Sequence, residues 1–114
     1  MPTSALDLMP GTVDILVLRT LAWEAMHGYA IAQFVRNRTG GAIGLESAAL
    51  YQALHRLEKK RLVRSWWGVS ETNRRAKFYE LTVAGRKRLR AETEGWNRLA
   101  GAIASALAAQ PEEV

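Results

Sequence analysis

Residues 46–61 (ESAALYQALHRLEKKR) constrain the fold of this chain more than any other stretch. Leu50, Leu54 and Leu57 recur at the spacing of one helix face, which predicts an α-helix with that face buried. A second face is small at its start, polar in its middle and cationic at its end, and it carries Ala48, Tyr51, Gln52, His55 and Lys59. Such a face suits a helix that enters a DNA major groove, although an ordinary surface helix with a solvated polar face has the same pattern.

The basic residues are concentrated in one third of the chain. Between residues 56 and 90 the sequence has twelve Lys or Arg against three Glu, whereas the rest has four Lys or Arg against eight acidic residues. A local basic excess of this kind indicates a polyanionic partner. Nucleic acid fits better than an anionic membrane, because no helix pairs a cationic face with bulky apolar insertion residues.

The composition predicts one cytoplasmic domain. A chain of 114 residues is long enough for a single compact core. It contains no cysteine and no apolar run long enough to cross a bilayer, and residues 1–10 lack the charged and apolar regions of a signal peptide. We therefore expect a cytoplasmic protein without disulfides and without a membrane partner.

Neither a catalytic centre nor a cofactor or metal site is predicted. His27 and His55 are the only histidines and fall on different predicted elements, and no metalloprotease, paired-carboxylate or nucleophile-elbow motif occurs. The pair Gly40-Gly41 lacks the spacing and the Lys-Ser/Thr of a phosphate-binding loop, so we interpret it as a helix stop. His27, next to a glycine, is interpreted as a structural turn residue.

Periodicity predicts three helices at residues 12–24, 29–38 and 47–60, a β-hairpin at residues 62–81 and a long last helix at residues 83–109. An N-terminal arm at residues 1–10 precedes them. Side-chain caps are expected at three helix starts, at Thr12, at Glu46 or Ser47, and at Thr82. The tail at residues 110–114 is expected to be frayed.

The hairpin is predicted to have strands at residues 62–67 and 76–81, joined by a polar tip that carries Arg74 and Arg75. A two-stranded hairpin is not stable alone, so it should pack on the helices through Tyr79 and Leu81. The tryptophans Trp23, Trp66 and Trp67 are expected to lie in the core or at the base of the hairpin.

The last helix carries an apolar stripe at roughly heptad spacing, formed by Leu89, Trp96, Leu99, Ile103 and Leu107. A domain of this size has no evident element left to cover the stripe, so a second copy of the chain is the expected cover. We therefore predict a homodimer in which residues 83–114 are a dimerisation helix. Residues 1–82, including the N-terminal arm at residues 1–10, are predicted to form the DNA-binding domain.

Taken in order, these elements predict a mainly α fold with a small β-hairpin, namely a winged helix-turn-helix followed by the C-terminal dimerisation helix. The third helix would enter the major groove of DNA. The hairpin would be the wing, with Arg74, Arg75 and Lys77 on the phosphate backbone or in a minor groove.

The sequence also resembles the PadR-type transcriptional regulators along nearly its whole length, from residue 10 to residue 108. The segments that carry the resemblance are GTVDILVLRTLAWEAMHGYAIAQFVRN, ALYQALHRLEKKRLV and SETNRRAKFYELTVAGRKRL. Their most specific marks are HGY at residues 27–29, LYxALxRLE at residues 50–58 and YxLTxxG at residues 79–85. The chain is most similar to the short subfamily, which has a single C-terminal helix.

The resemblance implies roles for two aromatic residues. Tyr51 is similar to the recognition-helix tyrosine of the family, which implies a hydrogen bond to a DNA phosphate, with packing against the second helix as the alternative. Some family members bind aromatic or planar drugs between the last helices of the dimer, sometimes on a tryptophan. This implies Trp96 as an effector-binding residue, with simple packing in the dimer as the alternative.

Two residues depart from the family pattern in the recognition helix. Ala49 stands where the family typically has serine, and Gln52 stands where it typically has proline. Ala49 has no hydroxyl to donate to a phosphate, whereas a Gln52 amide can pair with an adenine edge. We therefore expect an operator preference different from that of members with the usual pair.

The resulting hypothesis is a sequence-specific, homodimeric repressor that binds a pseudo-palindromic operator in double-stranded DNA and is released by a small aromatic or planar inducer. The residues assigned to DNA contact are Ser47, Ala48, Tyr51, Gln52, His55, Lys59, Arg74, Arg75 and Lys77. Two alternatives stay open, a winged-helix protein-interaction module that does not bind DNA and a winged helix that binds RNA.

Overall fold

The computed structural model describes residues 10–109, so the predicted arm, apart from Pro10, and the predicted frayed tail lie outside the described residues. The elements in chain order are α1 (Pro10–Leu21), β1 (Met26–His27), α2 (Gly28–Arg38), α3 (Ser47–Lys59), β2 (Val63–Val69), β3 (Arg75–Leu81) and α4 (Val83–Leu107). The three strands form one antiparallel sheet in the order β1-β3-β2. The predicted mainly α fold with a small sheet is confirmed.

Helix α1 is the central element of the core and contacts α2, α3, α4 and β3. Val17, Leu18 and Leu21 are almost fully buried along it, as expected for a helix that is apolar over most of its surface. The predicted Thr12 cap does not form, because Pro10 and Gly11 already belong to the helix, and proline is compatible with a first helical turn. The helix also ends at Leu21, three residues before the expected end.

Helix α2 is held by polar contacts at both ends. His27 lies at its N-cap position and its Nδ1 accepts a hydrogen bond from the Ala30 N–H at 3.2 Å, which confirms a structural role for this residue. At the other end, Gly40 and Gly41 adopt positive φ angles of 61° and 86°. The Gly41 N–H donates to the Arg36 carbonyl at 2.8 Å, as in a Schellman motif, which confirms the predicted helix stop.

Helix α3 buries the predicted stripe of Leu50, Leu54 and Leu57. Neither expected cap forms at its start, because Glu46 occupies the N-cap position without a side-chain hydrogen bond and Ser47 is the first helical residue. Its end is a second Schellman motif, in which the Leu62 N–H donates to the Leu57 carbonyl at 2.9 Å. Arg61 occupies the left-handed position of this motif with a φ of 62°.

The sheet has two distinct faces. Strands β2 and β3 pair from Val63 with Leu81 to Val69 with Arg75. Because side chains alternate, Val63, Tyr79 and Leu81 define an inner face that is buried against the helices, as predicted for the last two. The outer face carries the Arg64–Glu80 ion pair and the stacked rings of Trp66 and Phe78.

The two-residue strand β1 was not predicted. Met26 pairs with Tyr79 and His27 with Phe78, so the sheet has three strands and not the two of the expected hairpin. A segment of two residues is too short to show the alternation by which strands are recognised. Its pairing nevertheless fixes the start of α2 to the base of the wing.

The three tryptophans expected in the core or at the wing base are exposed. Trp23, just after the end of α1, is 60% exposed and lies beside Phe34 and the Arg38 guanidinium. Trp66 and Trp67 are 40% and 57% exposed, since they lie in the part of β2 that extends past the helices. The core alternative is therefore wrong for all three, whereas Trp66, opposite Phe78, lies where β1 joins β3 at the base of the wing.

Helix α4 begins with the predicted Thr82 cap, whose hydroxyl oxygen accepts the Gly85 N–H at 3.0 Å. Its first turns pack on the domain, and Leu89 is buried in the core rather than exposed on the apolar stripe. From about residue 96 the helix protrudes, which lengthens the molecule to 59 × 36 × 20 Å. None of the helices in the described part of the chain is long and apolar enough to cross a membrane.

Candidate nucleic-acid interface

The outward face of α3 is open to solvent. Opposite the buried leucines lie the six residues of this helix that were assigned to DNA contact, and all are exposed: Ser47, Ala48, Tyr51, Gln52, His55 and Lys59. No large apolar residue interrupts this face apart from the Tyr51 ring. A polar strip that ends in a cation presents hydrogen-bonding groups and charge along one line.

Tyr51 has two environments at once. Its side chain is 50% exposed, and its hydroxyl lies so close to Gly28 that a Cβ added there would overlap with it. The ring therefore packs on the first turn of α2, which is the alternative weighed for this residue, while half of its surface stays accessible. Only glycine at residue 28 allows so close an approach.

The polar residues of the LYxALxRLE motif that face away from the outward strip hold α3 in place. Arg56 makes an ion pair with Asp14 of α1, with Nη2 and Oδ1 2.6 Å apart. The Glu58 carboxylate accepts a hydrogen bond of 2.6 Å from the Ser65 hydroxyl of β2. These two contacts fix the helix to the core on one side and to the wing on the other.

The tip of the wing is a compact turn organised by Ser70. The Ser70 N–H donates to the Arg74 carbonyl at 2.8 Å, and the Ser70 hydroxyl oxygen accepts the Arg74 N–H at 3.2 Å. Asn73 takes the left-handed position with a φ of 60°, which asparagine tolerates better than most residues. The turn leaves the side chains of Arg74 and Arg75 exposed.

The inner face of the wing carries a cation–π cluster near its tip. The Arg75 guanidinium lies 4.6 Å from the centroid of the Trp67 ring, and the Lys77 ammonium lies 6.0 Å from it. The strand register explains the cluster, because Trp67 pairs with Lys77 and lies diagonally across from Arg75 on the same face.

A groove separates the wing from the helices, and we call it the wing groove. One wall is the start of α2 with Gly28 and Tyr29, joined by Tyr51 of α3, and the other is the inner face of the wing with Trp67, Arg74, Arg75 and Lys77. Glu24 and Glu71 also border it. The wing groove therefore brings Tyr51 of α3 together with basic residues of the wing, Arg74, Arg75 and Lys77, that lie more than twenty positions away in the sequence.

The charge of this region is largely uncompensated. Of the twelve Lys and Arg between residues 56 and 90, the structure of residues 10–109 pairs two with carboxylates, Arg56 with Asp14 and Arg64 with Glu80. The remaining cations include Lys59, Lys60 and Arg61 at the end of α3. A surface with this excess attracts polyanions over a range set by the ionic strength.

Tyr79 lies on the inner face of β3 and is buried there. Burial, followed by the nearby Glu58 carboxylate and Tyr51 hydroxyl, raises the pKa of the Tyr79 phenol above its ordinary value. The phenol is thus neutral throughout the physiological range and acts as a packing residue. Within the described part of the chain, no three His, Asp or Glu side chains are grouped to hold a metal ion.

Comparison with known proteins agrees with this geometry. The model of the transcriptional regulator PadR-like family matches residues 17–91, which run from the second half of α1 through α2, α3 and the sheet to the first turns of α4. The chain belongs to the PadR-like family. A relative from Lysinibacillus sphaericus, described as an uncharacterized protein, is 30% identical over 90 residues that cover 79% of this chain and 83% of the relative.

Solved structures of PadR-type proteins have the same fold. A PadR family transcription regulator from Clostridium difficile is 31% identical, with a TM-score of 0.73 over 85% of this chain and 99% of that chain. A transcriptional regulator from Clostridium thermocellum is 30% identical, with a TM-score of 0.75 over 83% of this chain and 89% of that chain. The family and these neighbours are described as transcription regulators.

In this PadR-family chain, the apolar stripe of α4 is reduced to four exposed residues: Trp96, Leu99, Ile103 and Leu107. Leu89, the fifth residue of the predicted stripe, belongs to the core of the domain. Trp96 is 48% exposed and borders a cleft between α4 and the start of α1, which Gly11, Thr12 and Ile15 line from the other side. The cleft places Trp96 where α4 leaves the domain.

Two features of the interface were missed in the sequence analysis. The contact of Tyr51 with Gly28 joins residues 23 positions apart, and no periodicity reports such a contact. Trp67 was assigned to the core or the wing base, although its alternation with Val63 and Ser65 and its position before the basic tip already placed it on the face of Lys77. Pairing the two predicted strands in register would have brought these residues together.

Proposed function

We propose that this PadR-family protein is a homodimeric repressor that binds a pseudo-palindromic operator in double-stranded DNA in the cytoplasm and is released by a small aromatic or planar inducer. The observation that carries the proposal is the exposed polar strip on the outward face of α3, whose Tyr51 borders the wing groove opposite the basic inner face of the wing. Residues 1–82 would form the DNA-binding unit and residues 83–114 the dimerisation helix.

In this proposal α3 lies in the major groove. Ser47 and Ala48 are small enough for the start of the helix to approach the bases, and Gln52 and His55 then reach base edges. Tyr51 and Lys59 contact phosphates on either side of them. The Arg74, Arg75 and Lys77 side chains of the wing follow the neighbouring backbone or enter a minor groove.

Dimerisation is supported by the exposed part of α4. Trp96, Leu99, Ile103 and Leu107 recur at intervals of three or four residues, so they form one stripe on a helix that protrudes from the domain. The protruding part of α4 is exposed from residue 96 onward, and helices in proteins are stabilised mainly by packing of an apolar face. A second α4 packed against the stripe would cover it and hold two copies of α3 about one turn of DNA apart.

The inducer is proposed to bind near Trp96. The cleft between α1 and α4 lies beside this ring, and an aromatic or planar molecule could stack on it in the dimer. Such a ligand would release DNA only by binding more tightly to a dimer geometry in which the two α3 helices are misaligned.

The test is binding of the purified protein to the DNA upstream of its own gene and of neighbouring genes, measured across a series of salt concentrations. The proposal expects one protected site with two-fold sequence symmetry and an affinity that falls steeply with salt, because phosphate contacts release counterions. Equal affinity for unrelated duplexes at every salt concentration would refute sequence-specific regulation.

Two single substitutions separate base reading from phosphate contact. Gln52→Ala is expected to weaken the operator by about 1–3 kcal/mol while leaving nonspecific DNA unchanged, because a paired base edge is lost. Lys59→Ala is expected to weaken binding to operator and nonspecific DNA alike. It should also reduce by about one unit the slope of the logarithm of the binding constant against the logarithm of the salt concentration. Exchanged results for the two variants would contradict this arrangement of α3.

The alternative function is a protein-interaction module, and the exposed rings of Trp23 and Trp66 favour it. Reversing the charges in Arg74→Glu/Arg75→Glu discriminates the two functions. Loss of DNA binding with an intact fold supports the repressor. Two results together would support the protein-interaction module. The wild-type protein would bind neither duplex DNA nor structured RNA, and its complex with a protein partner would survive the charge reversal.

A further inference from the structure

We propose that Trp67 is a positioning residue for DNA binding, because its ring holds the Arg75 and Lys77 side chains on the inner face of the wing, directed into the wing groove. This inference rests on the proposed function of the groove as a DNA-binding surface. It assigns the tryptophan no contact with a base and no part in the core.

The geometry of the cluster supports this role. The Arg75 guanidinium lies 4.6 Å from the Trp67 ring centroid, well within the range of a cation–π contact, and the Lys77 ammonium at 6.0 Å lies at its limit. All three side chains project from the same face of the paired strands β2 and β3. The ring thus forms a platform beneath two cations that would otherwise rotate freely.

The exposure of Trp67 argues against a packing role. The side chain is 57% exposed, and it lies beyond the part of the inner face where Val63, Tyr79 and Leu81 are buried. A large ring at such a place adds little to the core. Its neighbour Trp66 projects from the outer face, where its ring stacks on Phe78, and no cation of residues 10–109 lies over the Trp66 ring.

The surroundings leave the two cations available for an anion. Glu71 and Glu24 border the same groove, but the ion pairs found among the described residues involve neither of them with Arg75 or Lys77. The opposite wall presents Tyr51 and the start of α2. A phosphate that enters the groove therefore meets two cations whose directions are already set, which lowers the entropy lost on binding.

The experiment measures operator affinity against salt for Trp67→Leu in the wild-type background and in the Arg75→Gln/Lys77→Gln background. In the wild-type background the dissociation constant should rise about two- to five-fold, as expected for losing an exposed cation–π contact. In the background without the two cations the same substitution should have no further effect. Trp67→Tyr, which keeps an aromatic face, should restore most of the affinity.

Trp66→Leu is the matched control, because it removes the neighbouring tryptophan from the opposite face of the same strand. It should leave operator affinity and its salt dependence unchanged. Equal losses for Trp67→Leu in both backgrounds, or an affinity of Trp67→Leu equal to that of the wild type, would overturn the inference. A wild-type protein without any operator binding would instead overturn the proposed function and this inference with it.

A second measurement needs no substitution of the tryptophan. The Arg75 side-chain protons of the free wild-type protein should show an upfield ring-current shift in NMR spectra, since the guanidinium lies over the ring face. Random-coil shifts for these protons would overturn the inference even if Trp67→Leu did not fold.

Discussion

At the scale of single residues, Arg61 has a strained backbone conformation and lies where the end of α3 meets the start of α4. Its φ of 62° is sterically unfavourable for residues with a Cβ, yet it closes the Schellman motif at the end of α3. Its carbonyl also accepts a hydrogen bond of 2.8 Å from the Thr82 hydroxyl at the start of α4. The strain is therefore tolerated at a residue that fixes the direction of the chain after α3.

A comparison of Arg61→Gly with Arg61→Ala tests this strain, because both variants lose the same charge. We expect the free energy of unfolding of Arg61→Gly to exceed that of Arg61→Ala by about 1 kcal/mol, since glycine adopts the left-handed region without steric conflict. The measurement is the midpoint of urea unfolding for each variant. An alanine variant at least as stable as the glycine variant would show that the turn is not strained.

Tyr79 gives the fold a dependence on alkaline pH. Its pKa is raised above the ordinary value of 10.0, first by burial and then by Glu58 and Tyr51, so the folded state holds the phenolic proton more tightly than the unfolded state. The stabilisation is complete below pH 10 and is lost as the pH rises from there through the folded-state pKa. Tyr79→Phe should remove this loss of stability, as measured by thermal unfolding across alkaline pH.

The exposed Tyr29 provides the control for this measurement. Tyr29→Phe should retain the alkaline loss of stability that the wild type shows. If Tyr79→Phe and the wild type lost stability in parallel above pH 10, the buried phenol would not be the group responsible.

Single residues also show what the sequence predicts about the interface. The outward strip of α3 follows from helical spacing alone, because the buried leucines leave one remaining face. The packing of Tyr51 on Gly28 and of Arg75 on Trp67 depends on how separate elements meet. Local periodicity contains no information about such contacts, and strand register would have been needed for the second.

At the scale of elements, the junction between α3, β2 and α4 is tight. The Thr82 N–H donates to the Leu62 carbonyl at 3.1 Å, and Gly85 lies so close that an added Cβ would collide with that carbonyl oxygen. The start of α4 is thus packed directly on the end of α3. Thr82 is the one residue between β3 and α4, so the connection has no flexible linker.

Gly85→Ala should therefore destabilise the domain, whereas most glycine substitutions within helices stabilise it. We expect a loss of about 1–3 kcal/mol in unfolding free energy, because the collision involves backbone that cannot move aside. Gly101→Ala in the same helix is the control. It has open space around it, and better helix propensity should raise stability by up to about 1 kcal/mol. If both substitutions changed the unfolding free energy by similar amounts, the inferred close packing of α4 at Gly85 would be wrong.

The elements themselves were predicted to different degrees. The four helices and two long strands follow from hydrophobic spacing, and the Thr82 cap follows from its hydroxyl at the start of α4. The strand β1 could not be found, because its two residues are recruited by β3 and have no pattern of their own. The start of α1 was placed too late because a threonine cap was preferred to a proline in the first turn.

At the scale of the whole molecule, the proposed dimer depends on the protruding half of α4. Ile103→Asp should convert the protein to a monomer, because a carboxylate in the middle of the apolar stripe would be buried without a partner. Light scattering after size-exclusion chromatography measures the mass. Operator affinity should fall by a large factor at the same time, since the two half-sites would no longer be bound jointly.

Ser105→Asp is the matched control for the dimer. Residue 105 lies nine positions after Trp96, which places it on the opposite side of the helix from the stripe. This variant should remain dimeric and bind the operator normally. A monomeric wild type at micromolar concentration, or an Ile103→Asp variant that stays dimeric, would refute the proposed role of α4.

The direct packing of α4 on the end of α3 has a consequence for how such a regulator changes its target. In the proposed dimer, the distance between the two α3 helices depends on the angle at which the two α4 helices cross, since no hinge separates α4 from the domain. Substitutions on α4 alone could then adapt the protein to half-sites with a different spacing. The bases contacted within each half-site would stay the same, so spacing and sequence preference could evolve separately.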